Sequence, residues 1–164
     1  NSNPKLDILG SFATEIDNFG KTLKVRKVPI LHNDIKRLVW TCPFIHPSVM
    51  FKRDSILKIG SYNKTYRYRQ DYDLWFRACS NGLNFSNIPE PLIKYRIARQ
   101  GYKSSNFKTG LSMTCIGIRG CFYNHLGPVS YLGVILPLIK SLTPSFVFPL
   151  IQKLCDIFDP RTRT

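Results

Sequence analysis

The sequence predicts an α/β domain followed by a helical, apolar tail, and three observations carry that reading. Apolar or alternating runs at residues 6–16, 21–30, 83–88 and 92–97 read as strands. Helical spacing appears between them at 33–39, 55–59 and 70–82, most clearly in Leu74, Trp75, Ala78 and Cys79 ahead of Gly82. After Gly127-Pro128 the chain is almost continuously apolar over 131–139. A hydrophobic content of 43% with 13% aromatics in 164 residues suffices for one ordinary core and argues against an intrinsically disordered chain.

In chain order, residues 6–16 end at Asp17-Asn18-Phe19-Gly20, and Leu23 and Val25 then alternate with basic residues, which predicts two strands joined by a short turn. Asn33 is placed to cap a short helix carrying Ile35, Leu38 and Val39, which Cys42-Pro43 breaks. Residues 48–51 read as an apolar strand with His46 at its edge. Asp54 is placed to cap a helix over 55–59 that Gly60 ends, and Tyr62-Asn63 turns the chain into a loop dense in Tyr and Arg. The next helix begins at Gln70 or Asp71. Residues 83–88 form a strand, Pro89-Glu90-Pro91 turns, and 92–97 form another. Leu111, Cys115, Ile116, Ile118 and Phe122 then predict a helix over 109–123.

A net charge of +14 commonly goes with a phosphate-bearing partner, whether nucleic acid, an anionic bilayer or a diphosphate ligand, and a solvated basic face is the alternative for any single cluster. Its basic residues are scattered in small clusters rather than gathered in one tail. Five cysteines without any C-x-x-C pair or zinc-like Cys/His spacing fit free thiols in a reducing compartment. The opening Asn-Ser-Asn-Pro-Lys does not resemble a secretory leader, so the expected location is cytoplasmic. Lys140, Pro137, Pro144 and Pro149 interrupt the apolar tail, which favours an interfacial pair of short helices over 129–158 above a membrane span, with ordinary packing against a further part of the protein as the other reading.

Chemistry concentrates around Asp71. A carboxylate at a helix N-terminus either caps the helix or stands ready as a general base. Arg67 and Arg69 stand beside it, able to hold the carboxylate or to bind phosphate. Asp71-Tyr72-Asp73 is also a bare D-x-D, a pattern that can hold a divalent metal. Residues two apart on a helix diverge by about 200°, however, so Asp73 reads as a first-turn acid that braces the site.

Phe44-Ile45-His46-Pro47-Ser48-Val49-Met50-Phe51-Lys52-Arg53, Leu57-Lys58-Ile59-Gly60-Ser61-Tyr62-Asn63, Gln70-Asp71-Tyr72-Asp73-Leu74-Trp75, and Ile88-Pro89-Glu90-Pro91-Leu92 with Tyr95-Arg96-Ile97 follow one another at spacings that carry a resemblance. The ordered set resembles the acceptor-side half of inverting family 2 glycosyltransferases of the GT-A fold, over residues 4–106. The resemblance implies a partial GT-A, Rossmann-like domain at 1–106, a mixed sheet with flanking helices; beyond it the apolar pattern itself predicts a helical extension at 107–164, for which a membrane-interfacial position is one reading.

By the same resemblance Asp71 is the catalytic base. His46, Arg67, Arg69, Gln70, Asp73, Trp75, Arg96 and Arg99 are contacts to acceptor or diphosphate. Ala98 stands near the place where the family often carries a His that helps hold the diphosphate. Nothing before Leu6 supplies a nucleotide-binding βαβ region, so this chain alone is expected to be inactive. Mg²⁺ or Mn²⁺ is expected for the whole enzyme, with ligands outside this chain. The expected partners are a nucleotide-sugar donor, a glycan or lipid-linked acceptor and the inner face of the cell membrane, in cell-surface polysaccharide biosynthesis, with no nucleic acid. Two other classes stay open: a basic nucleic-acid-binding module built on the Tyr/Arg interleaving of residues 66–69, and a non-catalytic membrane-associated adaptor that uses residues 129–158 and leaves Asp71 dispensable.

Overall fold

The computed structural model describes residues 5–66, 68–97, 107–143 and 147. Its framework is a mixed four-stranded sheet centred on β1 (Ile8–Ile16). A short turn leads to β2 (Thr22–Arg26), which pairs antiparallel with residues 13–16 of β1. The two-residue β3 (Met50–Phe51) pairs antiparallel with Ile8 and Leu9. Strand β4 (Phe85–Arg96) runs parallel to β1 along its full length. Because β4 occupies one whole edge of β1, β2 and β3 share the other, at opposite ends.

The crossover between the parallel strands contains α1 (His32–Arg37), 3-10 turns at Val39–Thr41 and His46–Ser48, α2 (Arg53–Lys58) and α3 (Gln70–Ser80). Helix α3 is the buried centre of this layer. Leu74, Trp75 and Ala78 are fully buried against Ile8, Ile35, Phe44 and Phe85, with the Phe44 and Trp75 rings 4.9 Å apart. A smaller cluster of Phe12, Ala13, Val28 and Ile45 fills the other end of the sheet.

Several local expectations are corrected. Leu31, not Asn33, precedes α1, and Lys52, not Asp54, precedes α2; neither acts through a side-chain cap. In both helices the first-turn acid, Asp34 or Asp54, meets the helix dipole instead. The expected strand over 48–51 is only β3, since His46-Pro47-Ser48 wind into a 3-10 turn held by the Ser48 hydroxyl donating to Ile45 O at 2.8 Å. The turn expected at Pro89-Glu90-Pro91 is a bulge inside one continuous strand: Ile88 faces Ser11, whereas Pro91 already faces Phe12. A proline cannot donate to a ladder, and an unpaired bulge is where that loss is tolerated.

Helices α4 (Phe107–Tyr123) and α5 (Pro128–Leu142) form a hairpin packed on α3 and on Trp40. Gly120 permits the approach, because a Cβ there would collide with the Phe76 ring. The Tyr72 hydroxyl donates to Trp40 O at 2.7 Å and the Thr114 hydroxyl to Val134 O at 3.0 Å. Among the described residues no helix is long and apolar enough to cross a membrane. The four described cysteines are free thiols, and Cys155 lies outside the described residues.

His32 joins the crossover to β4, its Nδ1 accepting the Phe85 N–H at 3.2 Å. Burial, with Lys36 adding to it, lowers the His32 pKa below its usual 6.5. The unfolded chain therefore binds the proton more readily than the folded one, so this contribution to stability is complete above pH 6.5 and is lost as pH falls through the folded value. Unfolding midpoints measured between pH 7.5 and 5 should show this fall, and His32→Asn, which cannot take up a proton, should flatten it. An unchanged pH slope in the variant would assign the fall to other groups.

Candidate functional site

The N-terminus of α3 opens on a cleft of about 580 Å³ lined by His46, Tyr62, Asn63, Lys64, Tyr66, Gln70 and Asp71. Three separate segments meet there: the 3-10 turn, the loop after α2, and the first turn of α3. The helix enters through Arg69, whose backbone is left-handed at φ 65°. That conformation is costly for a side chain other than glycine, by roughly 1 kcal/mol, and it fixes the direction in which α3 starts. Asp71 is therefore the second helical residue rather than the N-cap, and its half-buried carboxylate benefits from the positive end of the helix dipole.

The two acids of the first turn have different surroundings. Asp73 is buried and accepts from Arg77 Nε at 2.7 Å, while the same guanidinium donates to Ile59 O and Ser61 O. Asp73 is thus committed to holding the α2–α3 loop, and it does not reach the cleft lining. Among the described residues, nothing hydrogen-bonds to or ion-pairs with the Asp71 carboxylate. The two acids do not converge, and among the described residues no group of three His, Cys, Asp or Glu could hold a metal ion.

Tyr62 links Asp71 to His46. Its hydroxyl and His46 Nε2 share a hydrogen bond of 3.0 Å. Burial, reinforced by the Asp71 carboxylate, raises the Tyr62 pKa above its ordinary value, so the phenol remains protonated and able to donate. The exposed His46 ring rests edge-on against the fully buried Trp75, 6.0 Å between centroids.

Of the residues expected at the site, the structure brings together Asp71, His46 and Gln70. Trp75 lies beneath the cleft as core and supports His46 rather than lining the opening; its Nε1 has no partner among the described residues. Arg69 is exposed at the helix entry. Arg96 donates to Asp17 O at 2.7 Å and Asn18 O at 2.8 Å, which commits it to the β1–β2 turn. Arg67 and Arg99 lie outside the described residues. Tyr62, Lys64 and Tyr66 were not singled out by the sequence as site residues. Their signals were the density of Tyr and basic residues in this loop and its position, between the glycine that ends α2 and the acid that starts α3.

No protein-family model matches the chain. It is 34% identical over 102 residues to the UDP-Gal:alpha-D-GlcNAc-diphosphoundecaprenol beta-1,3-galactosyltransferase of Escherichia coli, a match covering 62% of this chain and 37% of that protein. It is 34% identical over 96 residues to the amylovoran biosynthesis glycosyltransferase AmsE of Erwinia amylovora, covering 58% and 35%. It is 35% identical over 104 residues to the O-antigen biosynthesis glycosyltransferase WbnJ of Escherichia coli, covering 61% and 40%. The matched region thus spans between 35% and 40% of the length of these relatives.

Proposed function

We propose that this chain is the acceptor-side part of an inverting family 2 glycosyltransferase of the GT-A fold, and that Asp71 is its general base. The observation that carries the reading is the contrast within one helical turn: Asp73 is engaged by Arg77, whereas Asp71 faces an open cleft beside His46 and Tyr62. Similarity to three proteins named as glycosyltransferases supports the reaction class.

In the proposed reaction an acceptor hydroxyl enters the cleft and gives its proton to Asp71 as its oxygen attacks the anomeric carbon of a nucleotide sugar. The new C–O bond forms on the face opposite the diphosphate, the old one breaks, and nucleoside diphosphate leaves with the bonding pair. Tyr62 and His46 are placed to orient the acceptor, and Lys64 adds positive charge at the rim. In the whole enzyme Mg²⁺ or Mn²⁺ would offset charge on the leaving diphosphate, with ligands outside this chain. The name of the diphosphoundecaprenol-using relative supports a lipid-linked acceptor at the inner face of the membrane, and the other two names support polysaccharide biosynthesis.

Calorimetric titration of this chain with uridine diphosphate sugars, with and without Mn²⁺, should show no metal-dependent binding, whereas the full-length protein should bind. Metal-dependent binding by this chain alone would overturn the division of labour and move Asp71 from base to metal ligand.

A further inference from the structure

Both helices of the α4–α5 hairpin carry exposed apolar side chains. Along α4, Phe107, Leu111, Cys115, Ile118 and Phe122 recur every three or four residues, and all are exposed, so they form a single stripe. The other faces of α4 are already used. Gly120 meets Phe76 of α3, and Thr114 and Gly117 meet Val134 of α5. Helix α5 repeats the pattern with exposed Val129, Leu132, Leu136 and Ile139, away from buried Val134. Single exposed apolar residues need no explanation, but two continuous helical stripes do.

The surrounding charge identifies what covers them. No Asp or Glu occurs between Glu90 and Asp156, while the exposed Lys108 and Arg119 lie together along one side of the α4 stripe. Arg119 lies over the Tyr123 ring, 5.7 Å from its centroid, at the end of the same helix. An apolar face edged by cations and aromatic rings, with carboxylates absent from the whole segment, matches a bilayer interface: the side chains enter the acyl boundary and the cations meet lipid phosphates.

We propose that the outer face of α4, continued by that of α5, docks on an anionic lipid bilayer and lies in its plane. The purpose of this contact rests on the glycosyltransferase reading, since it would bring the cleft to a lipid-linked acceptor. The binding itself is independent of any transfer activity, so the two readings fail separately.

The test is sedimentation of the whole chain with large vesicles of phosphatidylcholine, alone or with about a quarter phosphatidylglycerol. Binding should favour the anionic vesicles and weaken with salt. Ile118→Glu and Leu111→Glu, both at exposed positions, should each lower it by about tenfold with circular dichroism and melting unchanged. Ser80→Glu, an equal change of charge on α3, should leave binding as it was. Failure of the parent chain to bind, or equal binding by the stripe variants, would overturn the proposal. So would stripe variants that altered self-association in solution while vesicle binding stayed the same, which would assign the face to a protein partner.

Discussion

Asp71→Asn in the full-length protein should reduce sugar transfer by about 10²- to 10⁴-fold, the range a positioned general base supplies, with little change in the unfolding midpoint. The substitution preserves shape and keeps a polar group in the cleft, so acceptor KM should change far less than kcat. Folding should be indifferent because no described residue bonds to the Asp71 carboxylate. A second readout is independent of turnover: removing the carboxylate should let the Tyr62 phenol titrate at lower pH, since Asp71 contributes to its raised value. Near-normal kcat in the variant would take proton abstraction away from Asp71 and favour a non-catalytic role for the chain.

Arg77→Ala should have the opposite profile, destabilising the fold by about 3 kcal/mol. The change removes the partner of a buried carboxylate and two carbonyl contacts, Ile59 O and Ser61 O, at once. The lower end of the range for broken buried pairs applies because the Arg77 side chain retains 27% of its exposure. Against a domain stability of about 5–15 kcal/mol this is a large fraction, and denaturant titration would read it directly. Arg77→Lys should recover only part of the loss, since an ammonium cannot reproduce the planar fork that serves Asp73 and both carbonyls. A midpoint unchanged in Arg77→Ala would mean that water replaces all three contacts.

The two variants divide a pair of acids that the sequence presents side by side. Helix α3 was legible because Leu74, Trp75, Ala78 and Cys79 keep one period and Gly82 ends it at φ 71°. The divergence of Asp71 and Asp73 followed from helical geometry alone. The encounter of His46 with Tyr62 was not legible, because it depends on how the α2 segment folds back over the 3-10 turn, which no local pattern encodes. Caps misled for a related reason: Asn33 and Asp54 have suitable side chains, but backbone angles at Leu31 and Lys52 decide where those helices begin. In α4 the period was correct, yet it could not distinguish the inward Ile116 from the outward Ile118. Both are isoleucines, and only the position of α3 separates them.

The parallel pairing of β1 with β4 also sets an order of assembly. The β1–β2 hairpin closes over a short turn, so it can form as soon as both strands leave the ribosome. The other edge of β1 has to wait until the entire crossover through α3 has been synthesised, because its partner comes last. During that interval a strand containing Ile8, Phe12 and Ile16 presents unpaired backbone groups to the cell. The sheet is thus exposed to misassociation between the synthesis of β1 and that of β4, whose arrival removes the hazard by occupying that edge.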